Sequence, residues 1–333
     1  TEPGQVDHVG QPEQARIFKW MSELRRQPDG TKWLWEGFLS RGGVTLFSAL
    51  WKIGKTTLLG YLVRSFDGRS TEFLGQKVTP SKVLYVTEEH EELWAERRDE
   101  LGIADHVGMV CRPFRGKPSP AEWVQFIGKL VEAVAEHQFD LVILDTISKL
   151  WPVREENDAS QVEEALMPLW SITNTGAALF LVHHTRKAGG GEFTGSRGSG
   201  GLPAFCETLI EFRRAEDNTK DPKRVLNAKG RYKDTPDKLL IELTPAGYVS
   251  HGDPDDPTVR ATFGENLWKQ RGAEIIPTAP PGITLDDFIH NLGDNGARRE
   301  VIIEWLAQRV EDGEFIQTGK GTKGSPKRWH KVG

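Results

Sequence analysis

VTLFSALWKIGKTTLL, residues 44 to 59, is the stretch whose reading decides the fold. Val44 to Ser48 form a short apolar run suited to a central strand, and Leu58, Leu59, Leu62 and Phe66 recur at helical spacing behind it. Between the two sits Gly54-Lys55-Thr56, so the stretch predicts a strand, a tight loop and a helix. Backbone N–H groups of such a loop and of the helix start make a concave nest for polyphosphate, and the helix dipole adds a favourable field there. Lys55 is placed to reach β and γ phosphates, Thr56 to offer its hydroxyl to Mg²⁺, and Gly54 to let the backbone approach without a Cβ in the way. The candidate cradle comprises Ala49, Trp51, Lys52, Ile53, Gly54, Lys55, Thr56 and Thr57, with ATP and Mg²⁺ as the expected ligands. Such loops usually open on glycine, and Ala49 stands in that place.

Moving outward, Val83 to Thr87 is a β-branched and aromatic strand that ends on Glu88-Glu89-His90, before a helical run from Leu93 to Leu101. Carboxylates at the C-terminal edge of a strand face the ligand crevice of an open α/β sheet, where one could orient or deprotonate an attacking water. As first-turn helix acids they would equally suit the dipole. Val107 to Cys111 reads as another strand. Ser119-Pro120-Ala121-Glu122 is a capping box opening a helix whose Trp123, Phe126, Ile127, Leu130, Val131 and Val134 form one apolar stripe. It leads to FDLVILD, residues 139 to 145, an apolar run ending in an acid, as expected of a parallel strand buried on both faces. Asp145 is the natural carboxylate partner of Thr56 around Mg²⁺. A helix over Asp158 to Ile172 and a strand over Ala177 to His184 continue the alternation, which predicts an α/β fold with a mainly parallel sheet. Thr208 to Arg213, Arg224 to Ala228 and Leu239 to Leu243 close it with antiparallel pairing.

Composition sets limits. With 333 residues, 37% hydrophobic and 27% charged, the chain can bury a full core and carry a second module. Its most apolar runs are far shorter than the roughly 20 residues a bilayer crossing needs, so no membrane partner and a cytoplasmic location are expected. Cys111 and Cys206 alone offer neither a disulfide framework nor metal-ligand spacing, which suits a reducing compartment. A net charge of −5 argues against coating nucleic acid over the whole surface, so any such contact must be local.

The boundaries expected are an arm and helix over 1–30, the latter carrying Ile17, Trp20, Met21 and Leu24 on one face from Ala15 to Arg26 and covering the core; an α/β domain over 31–250; a linker over 251–282; and a small domain over 283–333. In the last, Leu285, Phe288, Ile289 and Leu292 mark one amphipathic helix and Val301, Ile302, Trp305, Leu306 and Val310 a second, opened by Arg298 and Arg299. Two short strands follow around Gly-Lys-Gly-Thr-Lys-Gly, with Lys320, Lys323, Lys327 and Arg328 in an acid-free stretch. Helices and a basic hairpin suggest a winged helix able to lie on duplex DNA.

The ordered set ALWKIGKTT, VLYVTEEH, FDLVILDTIS, ALFLVHHTRK and SRGSGGLPAFCETLIEFRR resembles the RecA-fold P-loop ATPases, most of all the RepA-type hexameric plasmid helicases. The resemblance covers about Trp33 to Tyr248 and implies a RecA-like P-loop NTPase. It makes Glu89 the catalytic base with Glu88 as runner-up, sets His184 where a polar sensor of the γ phosphate lies, and matches Arg197 to an arginine inserted into the neighbour's site. Lys229 and Arg231, two apart on a strand and so on one face, resemble an alternative trans-acting pair. The implied function is a ring-forming, hexameric, Mg²⁺-dependent ATPase moving on or unwinding single-stranded DNA in plasmid, phage or mobile-element replication. Arg186 and Lys187, in the glycine-rich segment Thr185 to Gly201, would hold the DNA backbone. The alternative is an ATP-switched DNA-binding regulator that unwinds nothing. Ala49 and the appended module depart from the plasmid helicase pattern.

Overall fold

The computed structural model describes residues 19–24, 32–184, 200–215, 222–259, 269, 272–292, 299–322 and 324–332. Strands β1 (Trp33–Trp35) and β2 (Leu39–Ser40) form a small ribbon ahead of β3 (Val44–Ala49), and α1 (Lys55–Ser65) leaves the loop. A second ribbon, β4 (Glu72–Phe73) and β5 (Gln76–Lys77), precedes β6 (Val83–Thr87), α2 (Glu91–Leu101), β7 (Val107–Cys111), α3 (Pro120–His137) and β8 (Leu141–Asp145). Next come the short α4 (Ile147–Leu150), α5 (Ala159–Leu166), α6 (Trp170–Thr173), β9 (Ala178–His184) and α7 (Gly201–Phe205). The strands β10 (Thr208–Arg214), β11 (Lys223–Gly230), β12 (Lys238–Thr244) and β13 (Gly247–Gly252) finish the sheet.

That sheet has nine strands in the order β13-β12-β11-β10-β3-β9-β8-β6-β7. β10, β3, β9, β8, β6 and β7 are parallel, and β11 to β13 add antiparallel pairs, so the α/β fold expected from the alternating pattern is the one observed. The parallel strands are buried because each face is covered. On one side Leu58, Leu59 and Leu62 of α1 pack over Phe47, Phe180 and Phe212, whose rings stack at 5.7 Å across neighbouring strands. On the other, the α3 stripe Trp123, Ile127, Leu130 and Val134 meets Val142, Leu144, Leu179 and Leu181. The capping box that opens α3 is present: Glu122 N–H donates to Ser119 Oγ at 3.3 Å, and Ser119 N–H to Glu122 Oε2 at 2.7 Å.

Three expectations are corrected. Of the helix placed over Ala15 to Arg26, residues 19–24 contain only a single 3-10 turn, Met21–Glu23, bounded by extended backbone at Trp20 and Leu24. Its apolar face covers no core, since Trp20, Met21 and Leu24 are exposed. The helix expected over Asp158 to Ile172 is broken by a 3-10 turn, Met167–Leu169, where Pro168 lacks the N–H and crowds the preceding turn. The linker cannot start at 251, because His251 and Gly252 belong to β13. Ahead of β3, Trp35 stacks on Phe38 at 4.2 Å and donates through Nε1 to the Phe73 carbonyl, which is ordinary packing.

The C-terminal elements are β14 (Ile283–Thr284), α8 (Leu285–Leu292), α9 (Arg299–Glu311), β15 (Phe315–Thr318) and β16 (Arg328–Lys331), the strands pairing in the order β14-β16-β15. They enclose a separate apolar cluster of Phe288, Leu292, Ile302, Trp305, Leu306, Phe315 and Trp329, which also takes in Ile276 and Ala273. Residues assigned to the linker therefore belong to this unit. Between β15 and β16 the turn begins at Gly319, with φ +85°, where a Cβ would stand 2.1 Å from the Pro326 carbonyl oxygen.

Candidate nucleotide site

Register brings the pieces together. β9 lies between β3 and β8, and the C-terminal ends of all three coincide: Ala49 pairs with His184, and Asp145 with Val182. Ala49 ends the strand in ordinary extended pairing and is 1% exposed, so this place does not require the glycine that similar loops carry. Lys52 and Gly54 then take positive φ, +59° and +96°, and turn the chain into α1. A Cβ on Gly54 would lie 3.4 Å from the Tyr248 hydroxyl. Arg224 of β11 donates through Nε to the Ile53 carbonyl at 3.1 Å and fixes the loop from the side.

Lys55, the first residue of α1, points its ammonium back to the Asp145 carboxylate, with Nζ 2.7 Å from Oδ1. The other carboxylate oxygen accepts from the Tyr85 hydroxyl at 2.6 Å. Lys55 and Asp145 are 8% and 4% exposed, and Tyr85 is fully enclosed beside Trp94, at 4.4 Å between rings. Burial and the facing Asp145 charge push the Tyr85 hydroxyl well above its ordinary pKa, so it stays protonated and donates. Thr56 and Thr57 are partly exposed in the first turn of α1. A buried carboxylate bonded to the first residue of α1, with a hydroxyl on the next residue and a loop with two left-handed residues before them, fits Mg²⁺ and polyphosphate in its donor chemistry.

Residues 11–190, more than half of the chain, match the model of a family described as an AAA domain. The chain belongs to that AAA domain family. No curated protein matches its sequence. Among solved structures the AAA domain is similar to the RadB recombinase, at 18% identity and a TM-score of 0.46, over 63% of this chain and 91% of that one.

The two glutamates of the AAA domain have different surroundings. Glu89 is held by Arg97, whose NH1 and NH2 donate to Oε2 and Oε1 at 2.5 and 3.2 Å. Glu88 is half-buried and lines a cavity shared with His184 and Lys149. Burial raises its pKa, against the pull of the Lys149 charge. His184 is also half-buried, and burial followed by the Lys55 charge lowers its pKa, which keeps the imidazole neutral. Its buried Nδ1 has no hydrogen-bond partner among the described residues, while His183 reaches Glu156 at 3.5 Å. Trp51 and Lys52 stand exposed at the apex of the loop, with Ile53 buried behind them.

Lys229 lies on β11, and the Arg231 N–H one residue past its end still donates to the Glu207 carbonyl at 2.9 Å, both residues being exposed. β11 ends at Gly230, and the Arg231 guanidinium donates to Glu207 and to the Ala204 carbonyl. Both residues lie at the N-terminal edge of the parallel strands, since Gly230 pairs with Thr208 and Thr208 with Thr45. Arg299 opens α9 and pairs with Asp286 at 2.8 Å, Arg328 donates to the Gly282 carbonyl, and Lys320 and Lys327 are exposed. Arg186, Lys187, Arg197, Arg298 and Lys323 lie outside the described residues. Tyr85, Arg97 and Arg224 carry no motif of their own and were not foreseeable: each is defined by a partner met only after folding.

Proposed function

We propose that this AAA domain is a RecA-like ATPase that hydrolyses ATP with Mg²⁺ between neighbouring copies in a ring, six on the RepA-type pattern, and couples hydrolysis to movement on or unwinding of single-stranded DNA during plasmid, phage or mobile-element replication. The observation that carries the reading is the buried Lys55–Asp145 pair. A buried ion pair is a poor way to stabilise a fold, because well-packed apolar residues do as well or better, so its presence at the end of the central strands points to chemistry.

In that reading the nest N–H groups and Lys55 bind the phosphates, and Thr56 with Asp145 would hold Mg²⁺, which neutralises charge on the transferring group when bound. Tyr85 orients the Asp145 carboxylate. Glu89 takes the proton of the attacking water once its contact with Arg97 opens, since a carboxylate bonded to a guanidinium is a weaker base. His184, neutral and with a ring nitrogen unpartnered among the described residues, would sense the γ phosphate. Lys229 and Arg231 sit a strand length, roughly 17 Å at 3.3 Å per residue, from their own loop. Any phosphate they touch is therefore on a second copy, and Arg197 is the other trans candidate. The C-terminal unit is read as a winged helix, in which Arg298, Arg299, Lys320, Lys323, Lys327 and Arg328 meet duplex phosphates.

Calorimetry on Lys55→Ala tests the core of this. ATP binding should be lost, and an affinity within about threefold of wild type, under one kcal/mol, overturns the reading. Glu89→Gln should keep ATP affinity and lower turnover by roughly 10²- to 10⁴-fold. A dead Glu88→Gln beside an active Glu89→Gln transfers the role to Glu88. Strand displacement on a forked duplex separates unwinding from an ATP-switched binder.

A further inference from the structure

A cavity of about 940 Å³ opens at the C-terminal ends of β6, β7 and β8, between residues 112–117 and α4. Its lining includes Arg112, Arg115, Lys117 and Lys149, four cations in a chain of net charge −5. Two acids share the lining. Glu156 faces His183 at 3.5 Å, and burial raises the pKa of Glu88. Lys117 is committed to the fold, donating to the Ser148 and Trp151 carbonyls at 2.9 and 3.2 Å. Arg112 takes φ +50° and donates through Nε to the Glu88 carbonyl at 3.3 Å. Arg115 and Lys149 are exposed, and among the described residues no carboxylate lies within ion-pair distance of either.

The aromatic in the same wall is Phe114, partly exposed and supported edge-on by Phe126 at 5.0 Å between ring centres. Cations beside a braced ring are the parts of a single-strand site, where phosphates take the charges and an unstacked base takes the ring. A duplex keeps its bases stacked on one another and offers none to Phe114. The volume lies at the upper end of what ligand pockets span and exceeds what a lone phosphate would fill.

We propose that this cavity seats a short run of single-stranded nucleic acid, with Arg115 and Lys149 on its phosphates and Phe114 against a base. The assignment rests on the DNA-coupled reading above and adds to it a contact surface on the segment after β7 and on α4. Arg112 joins the cavity to the main chain of Glu88, one residue before Glu89, so occupancy is felt where water is activated.

The test uses the full chain and a fluorescent oligothymidine, with anisotropy measured from 50 to 200 mM salt. Arg115→Ala with Lys149→Ala should lower affinity and reduce the slope of log K against log salt by about 1.4, at roughly 0.7 per lost contact on a single strand, which makes the variant about sevenfold less salt-sensitive over that range. Phe114→Leu should weaken binding with the slope unchanged. Arg115→Lys with Lys149→Arg should retain binding, which excludes a folding defect, and Arg115→Ala alone should keep ATPase activity without DNA while losing part of its stimulation by DNA. Equal affinity and slope in the double alanine variant and wild type overturn the cavity assignment and leave the DNA-coupled reading standing. Absence of single-strand binding by the wild-type chain overturns both.

Discussion

The C-terminal end of the main sheet and the C-terminal hairpin both concentrate charge, in opposite ways. At the sheet end Lys55 and Asp145 are buried and fixed by a short contact, with Tyr85 bracing Asp145 and Arg224 holding the loop at Ile53. In the hairpin Lys320 and Lys327 are exposed, above a small apolar cluster built around Phe288, Trp305 and Trp329. A charge that must meet one phosphate in one geometry has to be desolvated and held. One that meets a strand of many phosphates works from water and is screened by salt. Substitutions should therefore show up in stability at the first region and in salt dependence at the second.

The largest effect is expected at Asp145. Asp145→Leu leaves the Lys55 ammonium buried without its partner, and should cost about 3–5 kcal/mol in urea unfolding without nucleotide. A loss below about 1 kcal/mol would mean that the pair is more hydrated than its burial implies. Tyr85→Phe removes one hydrogen bond to a charged acceptor, and should cost about 1.5–3 kcal/mol by the same measurement, with ATP turnover falling as Asp145 loses its orientation. Lys320→Ala with Lys327→Ala should leave stability within about 0.5 kcal/mol. Duplex binding by this pair should nevertheless become roughly twelvefold less sensitive to salt between 50 and 200 mM, at a slope of about 0.9 per contact. The smallest effect is a pH dependence. His184 has a folded pKa below its ordinary 6.5, so between those values the unfolded chain binds the extra proton and the folded chain does not. Stability should fall as pH drops through that window, and His184→Gln should flatten the fall.

The loop itself was legible because strand, Gly-Lys-Thr and helix are contiguous, and Asp145 because an acid after Leu-Val-Ile-Leu has one natural place in a parallel sheet. The capping box before α3 was equally local. What could not be read was long-range or neutral in type. Tyr85 looks like any strand aromatic until Asp145, 60 residues later, is set beside it. Glu88 and Glu89 are told apart by Arg97, eight residues after Glu89, which binds one and not the other, and by a cavity that Glu88 lines. At the N-terminus the spacing of Trp20, Met21 and Leu24 suggested a buried face, but side-chain periodicity does not say whether a partner surface exists.

Pairing of β10 with β3 has a consequence for how the chain can be cut. The stretch matching the AAA domain family ends at residue 190, yet β10 begins at Thr208 and Arg224 comes later still. A fragment trimmed to that match would leave the loop strand with β9 on one side and bare backbone on the other, and Phe47 without the ring of Phe212. An unpaired, flat, apolar edge of that kind recruits other chains. The same holds on the ribosome: until about forty residues past His184 have emerged, the phosphate loop exists as sequence but not as a finished surface, and a nucleotide arriving early would find Ile53 without the arginine that fixes it.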